Sequence, residues 1–247
     1  MADDNVRPIP NSRVLIVPHH WHAGGIIARS LRHLAASRSV GSLVLVGPDH
    51  RNVGAKQAVS STGTWSTDYG VVRADTHLLA SLTSTGMLAL QDDILATEHS
   101  VSGLVPALAY YFPGRPVTAV AVRNDTAPEE ARVIGTVLGS ELLVDPGAVL
   151  VVSVDFSHGL NQAQAAERDE EMLAVLADMD ERGLGRMGPE NSDGRGAMLV
   201  AFSALRQLGA PEFVLLEQSD SSRVAGVGGG EVTTYIAALY AVDPTSP

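Results

Sequence analysis

Val149-Leu150-Val151-Val152-Ser153-Val154 runs directly into Asp155-Phe156-Ser157-His158, and this junction decides how the chain folds. Aliphatic, mostly β-branched residues on both sides of the pleat make a strand with no polar face. Such a strand needs cover on both sides, the situation of an inner strand in a parallel sheet. Working outward, residues 14–17, 43–46, 117–122 and 213–216 repeat the pattern, and 56–61 and 231–240 read as further strands. Between them the spacing predicts helices over 25–37, 75–86, 100–111, 128–142, 162–180 and 195–208. In the last of these Met198, Leu199, Phe202 and Leu205 keep one helical face, and Gly209 followed by Pro211 stops it. The expected class is α/β: a single doubly wound domain over 1–247, with a largely parallel or mixed central sheet flanked by helices on both faces. The ends, about 1–10 and 243–247, are expected to fray.

The 247 residues suffice for a sizeable core. With 45% apolar and 18% charged residues the composition is that of a globular chain. A net charge of −11 disfavours non-specific binding to nucleic acid or to an anionic membrane. No apolar run is long enough to span a bilayer, and residues 1–10 carry no secretory pattern. There is no cysteine, which excludes disulfides, thiolate ligands and thiol catalysis. A cytoplasmic location is therefore expected. Homo-oligomerisation is compatible with the sequence, which does not separate an interface from an ordinary amphipathic helix.

Open α/β sheets bind ligands beyond the carboxyl ends of their strands. Three strands here end in histidine motifs: Pro18-His19-His20-Trp21-His22, Gly47-Pro48-Asp49-His50 and Asp155-Phe156-Ser157-His158. If the strands are parallel, all three motifs meet on one edge. Convergent neutral imidazoles suit iron, copper, zinc or nickel. His33 and His77 fall inside helices and read as ordinary residues, and His20 and His22 read equally well as loop surface. His99, in Thr97-Glu98-His99-Ser100, lies at a helix start, where Thr97 or Ser100 would cap and Glu98 would favour the positive end. Asp155 is either a turn residue or a carboxylate that orients a histidine and fixes its tautomer. Asp193, in Asn191-Ser192-Asp193-Gly194-Arg195, is either an N-cap or an anionic ligand.

In order along the chain, Pro18-His19, Gly47-Pro48-Asp49-His50, Glu98-His99-Ser100, Leu104-Val105-Pro106 and Ser153-Val154-Asp155-Phe156-Ser157-His158 resemble the motifs of the Memo family. That family is related in fold to the class III extradiol ring-cleavage dioxygenases. The likeness runs from about Val14 to Tyr240. It implies a metal pocket near His19 and His50, with His158 nearby. In the extradiol relatives two histidines and a carboxylate hold ferrous iron, and a further histidine is the acid/base. Many family members have Ile-Cys-Gly-Arg where this chain has Ser192-Asp193-Gly194-Arg195. Asp193 in place of that cysteine restores a two-histidine, one-carboxylate set and favours Fe(II), with copper or zinc as alternatives. The family's Pro-His-Ala-Gly is lengthened here to Pro18-His19-His20-Trp21-His22-Ala23-Gly24, and alignment on Pro18 favours His19 as the ligand.

The resemblance thus implies a non-heme iron oxygenase or dioxygenase with metal ligands His19, His50 and Asp193. His158 would be the proton carrier, His99 a second acid/base and Asp155 a supporting carboxylate. Arg195, His22 and Arg51 would bind substrate, with a solvated loop charge as the plainer reading of Arg51. The partners are a small polar or phenolic metabolite and dioxygen. With 4% aromatic residues a large stacking surface is not assured. The rival readings are a zinc-type hydrolase or lyase and a non-catalytic binding or signalling module.

Overall fold

The computed structural model describes residues 6–226 and 230–242. The chain runs β1 (Ser12–Val17), a 3-10 turn (Trp21–Ala23), α1 (Gly24–Ser37), β2 (Ser42–Asp49), β3 (Ala58–Ser60), β4 (Thr64–Thr67) and β5 (Gly70–Arg73). It continues through α2 (Thr76–Ser84), β6 (Leu88–Leu90), α3 (Asp92–Thr97), α4 (His99–Ser102), α5 (Val105–Tyr111), β7 (Val117–Arg123) and α6 (Pro128–Val144). The last part is β8 (Ala148–Ser153), α7 (Gln162–Asp178), α8 (Glu181–Arg186), α9 (Arg195–Gln207), β9 (Glu212–Asp220), α10 (Ser221–Ala225) and β10 (Thr234–Ala241).

Eight strands form one sheet in the order β6-β3-β7-β2-β8-β1-β10-β9. The four inner strands β7, β2, β8 and β1 are parallel, whereas β10, β9 and β3 pair antiparallel. The sheet is therefore mixed, with a parallel centre. Alternate residues explain the unbroken apolar runs. Val14, Ile16, Val44, Val46, Leu150 and Val152 face one core, against α6, α7 and α9. Leu15, Val17, Leu43, Leu45, Val149 and Val151 face the other, against α1 and α5. Both faces are covered, so neither can be polar.

The register sets the site. Val17 lies opposite Ser153, and Val46 opposite Val152. The segments that follow β1, β2 and β8 therefore leave the same edge at nearly the same height.

Several elements differ from expectation for local reasons. The helix expected at 100–111 is two, because Pro106 sits in the first turn of α5 and cannot extend a preceding helix. Strand 213–216 is longer and lies at the sheet edge, half exposed rather than covered on both faces. The predicted helix 162–180 ends at Asp178 because Met179 takes a left-handed conformation, φ 48°. The hairpin β4–β5 and the short elements β6, α3, α8 and α10 have too few residues to show a period. Residues 1–5 and 243–247 of the expected frayed ends lie outside the described residues. Ile9 N–H donates to Ser37 Oγ at 2.8 Å, which ties that part of the chain down. Among the described residues no helix is long and apolar enough to cross a membrane.

Candidate metal centre

Past the end of β1, the His19 N–H donates to Asp155 Oδ1 at 3.0 Å, locking the first loop to the end of β8. The His19 ring is buried. Its Nδ1 lies 3.1 Å from Ser153 Oγ, and that hydroxyl donates its own proton to the Ser100 carbonyl. Ser153 must then accept from Nδ1–H, which leaves Nε2 as the free donor atom. His50 repeats the device with a carboxylate: Nδ1 is 2.7 Å from Glu98 Oε1, and the His50 backbone N–H donates to Glu98 Oε2 at 3.0 Å. Both Nε2 atoms converge on one oxygen, Asp193 Oδ2, at 3.2 Å from His19 and 3.3 Å from His50.

Asp193 reaches this point through a specific backbone arrangement. Its N–H donates to the Asp155 carbonyl, and its Oδ1 accepts from the Asp155 N–H at 3.0 Å. Gly194 is the N-cap of α9, and no side chain caps that helix. Asp193 is therefore not an N-cap. A Cβ on Gly194 would lie 2.5 Å from Val154 Cγ2, so a side chain there would have to displace Val154 for this loop to pack against the segment that follows β8.

His158 Nε2 lies 4.0 Å from Asp193 Oδ2, and its Nδ1 is buried with no hydrogen-bond partner among the described residues. His99 stacks on His50 with ring centroids 4.2 Å apart, and its ring is 5.1 Å from that of His19. Its side chain is mostly exposed. Glu98, rather than Thr97 or Ser100, caps α4 by accepting from the Ser100 N–H. One carboxylate thus holds both the helix start and His50.

The electrostatics are those of a cluster filled with protons. Burial opposes a charge on His50, but hydrogen bonds to Asp193 and Glu98 outweigh it and push the imidazole up to about 9. Burial likewise opposes the Glu98 charge, and hydrogen bonds from His50 and the Ser100 N–H hold it down at about 2. For His19, the bond to Asp193 and the Asp155 charge overcome burial and raise it. Asp193 is held well below the carboxylate range despite burial, chiefly by its bonds from His19 and His50. His99 is lowered, first by burial and then by the positive fields of His50 and His19. Asp155 is raised by burial above all, with the Asp193 charge adding to it.

The donor set fits a divalent transition metal. His19 and His50 each have Nδ1 fixed, and their Nε2 atoms face a carboxylate, as in imidazoles set to bind a metal. Among the described residues two overlapping groups could hold an ion, His19 with His50 and His99, and His19 with Asp155 and Asp193, with donor atoms within 4.8 Å of one another. A cleft of about 480 Å³ opens beside the cluster, bordered by His50, Asn52, Asn124, His158, Asp193 and Arg195. Arg195 is steadied there by donating to the Asn124 carbonyl.

Two residues expected to bind substrate do not line this cleft. Arg51 is exposed and donates to Thr97 Oγ1, because the chain turns away at Asn52, φ 52°. His22 sits in the 3-10 turn, where each residue swings a third of a turn, and it faces a separate cleft with His20, Glu231 and Thr233. His20 is held by the Tyr235 hydroxyl at 2.8 Å. Of the three crowded histidines only His19 enters the cluster. Sequence reasoning missed Glu98 and Ser153 as ring holders, although both lie inside the quoted motifs. It also missed the cleft residues Asn52 and Asn124, which carry no motif at all.

The model of the Memo-like protein family matches residues 2–238. The chain belongs to this family. Among its curated Memo-like relatives, the MEMO1 family protein of Pyrobaculum aerophilum is 28% identical over 234 residues, 91% of this chain and 82% of that protein. That of Methanothermobacter thermautotrophicus is 27% identical over 221 residues, 86% of this chain and 79% of the relative. A solved structure of an uncharacterized protein from Escherichia coli K12 superposes with a TM-score of 0.58 at 14% identity. It covers 91% of this chain and 99% of that one, a likeness of fold alone. For this Memo-like chain, family membership and a His/Asp group able to hold a metal stand together.

Proposed function

We propose that this protein is a non-heme Fe(II) oxygenase whose metal ligands are His19, His50 and Asp193. The observation that carries the reading is the convergence of two Nε2 atoms on Asp193 Oδ2, at 3.2 and 3.3 Å, with each Nδ1 already bound. Two imidazoles and a carboxylate are the donor set of ferrous oxygenases. Iron, when bound, supplies a centre that brings substrate and dioxygen together.

The chain's own groups do the rest. Ser153 and Glu98 keep His19 and His50 in the tautomer that offers Nε2. Arg195, fixed by Asn124, offers a cation at the cleft wall for an anionic part of the substrate. His158 borders both the cleft and Asp193, with its Nε2 4.0 Å from Asp193 Oδ2, which suits that nitrogen to move a proton at the substrate. His99, lowered first by burial and stacked on His50 at 4.2 Å, is the second base.

Anaerobic Fe(II) titration of wild type and Asp193→Ala tests the ligand set. Loss of Asp193 is expected to weaken iron by more than about 100-fold, beyond the roughly 10–100-fold typical of a group that only orients a ligand. Unchanged iron occupancy would sink the ligand set. Oxygen uptake by the iron-loaded protein across a metabolite panel then tests the reaction class.

A second reading has its own support. His19, His50 and His99 form a three-histidine group, a donor set of catalytic zinc that suits a hydrolase or lyase. It predicts that His99→Ala, rather than Asp193→Ala, abolishes metal binding, and that turnover needs no oxygen.

A further inference from the structure

One pocket beside the histidine cluster has a chemistry unlike that of the polar cleft. It encloses about 300 Å³, and His19 forms part of its wall together with Trp21, Ile27, Leu104, Tyr110 and Tyr111. Tyr69, from the β4–β5 turn, closes one side, meeting Tyr110 edge-on at 5.0 Å between ring centroids. Tyr110 meets Tyr111 in the same way at 4.9 Å. The chain has five tyrosines and two tryptophans, and three of those tyrosines and one of those tryptophans gather here. None of the described residues that line it is Asp, Glu, Lys or Arg. Trp21 is 86% exposed and Tyr110 58%, an arrangement that leaves apolar ring surface in water unless something covers it. The apolar side chains come from α1, α5, the 3-10 turn, the β4–β5 turn and the link between α4 and α5, so only the fold assembles them.

We propose that this pocket binds an uncharged apolar portion of the substrate, a single aryl ring or a branched alkyl group, and seats it against His19. The proposal deepens the oxygenase reading and rests on it for the catalytic role of His19, but occupancy of the pocket needs no metal. Apolar surface gains by leaving water here. A cationic group would lose its hydration with no carboxylate among the described lining residues to replace it. The polar end of the same molecule has the other cleft, with Arg195, Asn124 and Asn52. The substrate class is therefore amphipathic, with an uncharged ring or branched chain at one end and a polar or anionic group at the other.

The test uses para-cresol as probe, followed by saturation-transfer NMR on the metal-free full chain. Binding is expected, with transfer to the methyl and ring protons. 4-Hydroxybenzylamine, which adds an ammonium group to the methyl carbon and so falls outside this class, should bind at least about tenfold more weakly. A Cβ at Gly24, on the pocket lining, meets nothing within 4 Å, so a side chain can start there, and Gly24→Leu adds bulk at the pocket wall. It should cost at least about tenfold in cresol affinity, as should Tyr110→Ala, which removes a half-exposed wall. Zn(II) titrations of both variants should match wild type. No cresol binding up to its solubility, or equal affinity in wild type and both variants, overturns the proposal. A wild-type dimer that Gly24→Leu converts to monomer also overturns it, by assigning the pocket to a second copy of the chain. Intact cresol binding without metal binding would instead count against the oxygenase reading alone.

Discussion

Glu98 shows how much one side chain can settle. Its Oε1 accepts from His50 Nδ1 and the Ser100 N–H, and its Oε2 from the His50 N–H. Held at about 2 against an ordinary 4.5, it contributes stability that is present above pH 4.5 and lost as pH falls through 2. His50, raised to about 9 from 6.5, contributes stability that is present below pH 6.5 and lost as pH rises through 9. In the metal-free protein the pair therefore stabilises most between pH 4.5 and 6.5. The Tm difference between wild type and Glu98→Gln is expected to be widest in that window and to shrink above pH 9. A difference that does not vary with pH would show that the pair is not ionised as described. The same protons must leave when a metal enters. Metal affinity is thus expected to rise from pH 6 toward 9, with proton release on binding measurable by calorimetry in buffers of different ionisation enthalpy.

At the scale of the element, α9 decides where Asp193 sits, and α6 decides where α9 sits. The two helices approach through Gly135 and Gly139. A Cβ on Gly135 would lie 2.5 Å from Ser203 Cβ and from the Val200 carbonyl oxygen, and one on Gly139 2.5 Å from Gln207 Cγ. Backbone carbonyls cannot move aside as a flexible side chain can, so added volume must push the helices apart. Gly135→Val is expected to destabilise by about 1–3 kcal/mol, the usual cost of overpacking a core. Because α9 begins two residues after Asp193, the same variant should also weaken metal binding. Denaturant melts and Fe(II) titration of one sample check both, and wild-type affinity in a destabilised protein would show that the Asp193 loop is fixed by β8 alone.

Across the whole molecule, the cluster joins the ends of β1, β2 and β8 and the start of α9, segments far apart in the chain. A metal held there binds only the folded state, so it should stabilise by mass action, by about 2.7 kcal/mol at a free concentration 100 times Kd. Chelation should remove the gain, and His19→Ala should never show it, as thermal melts at several metal concentrations would report. The sequence by itself determined a good deal of this. Continuous apolar runs at 14–17, 43–46 and 149–154 point to strands covered on both faces, and, if those strands are parallel, the histidines that follow them meet on one edge. Both steps follow from local side-chain chemistry and the pleat. It did not determine which of His19, His20 and His22 faces inward, because partners far along the chain, Asp155 for His19 and Tyr235 for His20, and the 3-10 turn that carries His22 set their directions. The cap-or-ligand choice at Asp193 was equally hidden, since it turns on Gly194 packing against Val154 across the fold. The aromatic pocket was hidden for the same reason. Its residues have no spacing in common, and only the packing of α1, α5 and the β4–β5 hairpin sets them side by side.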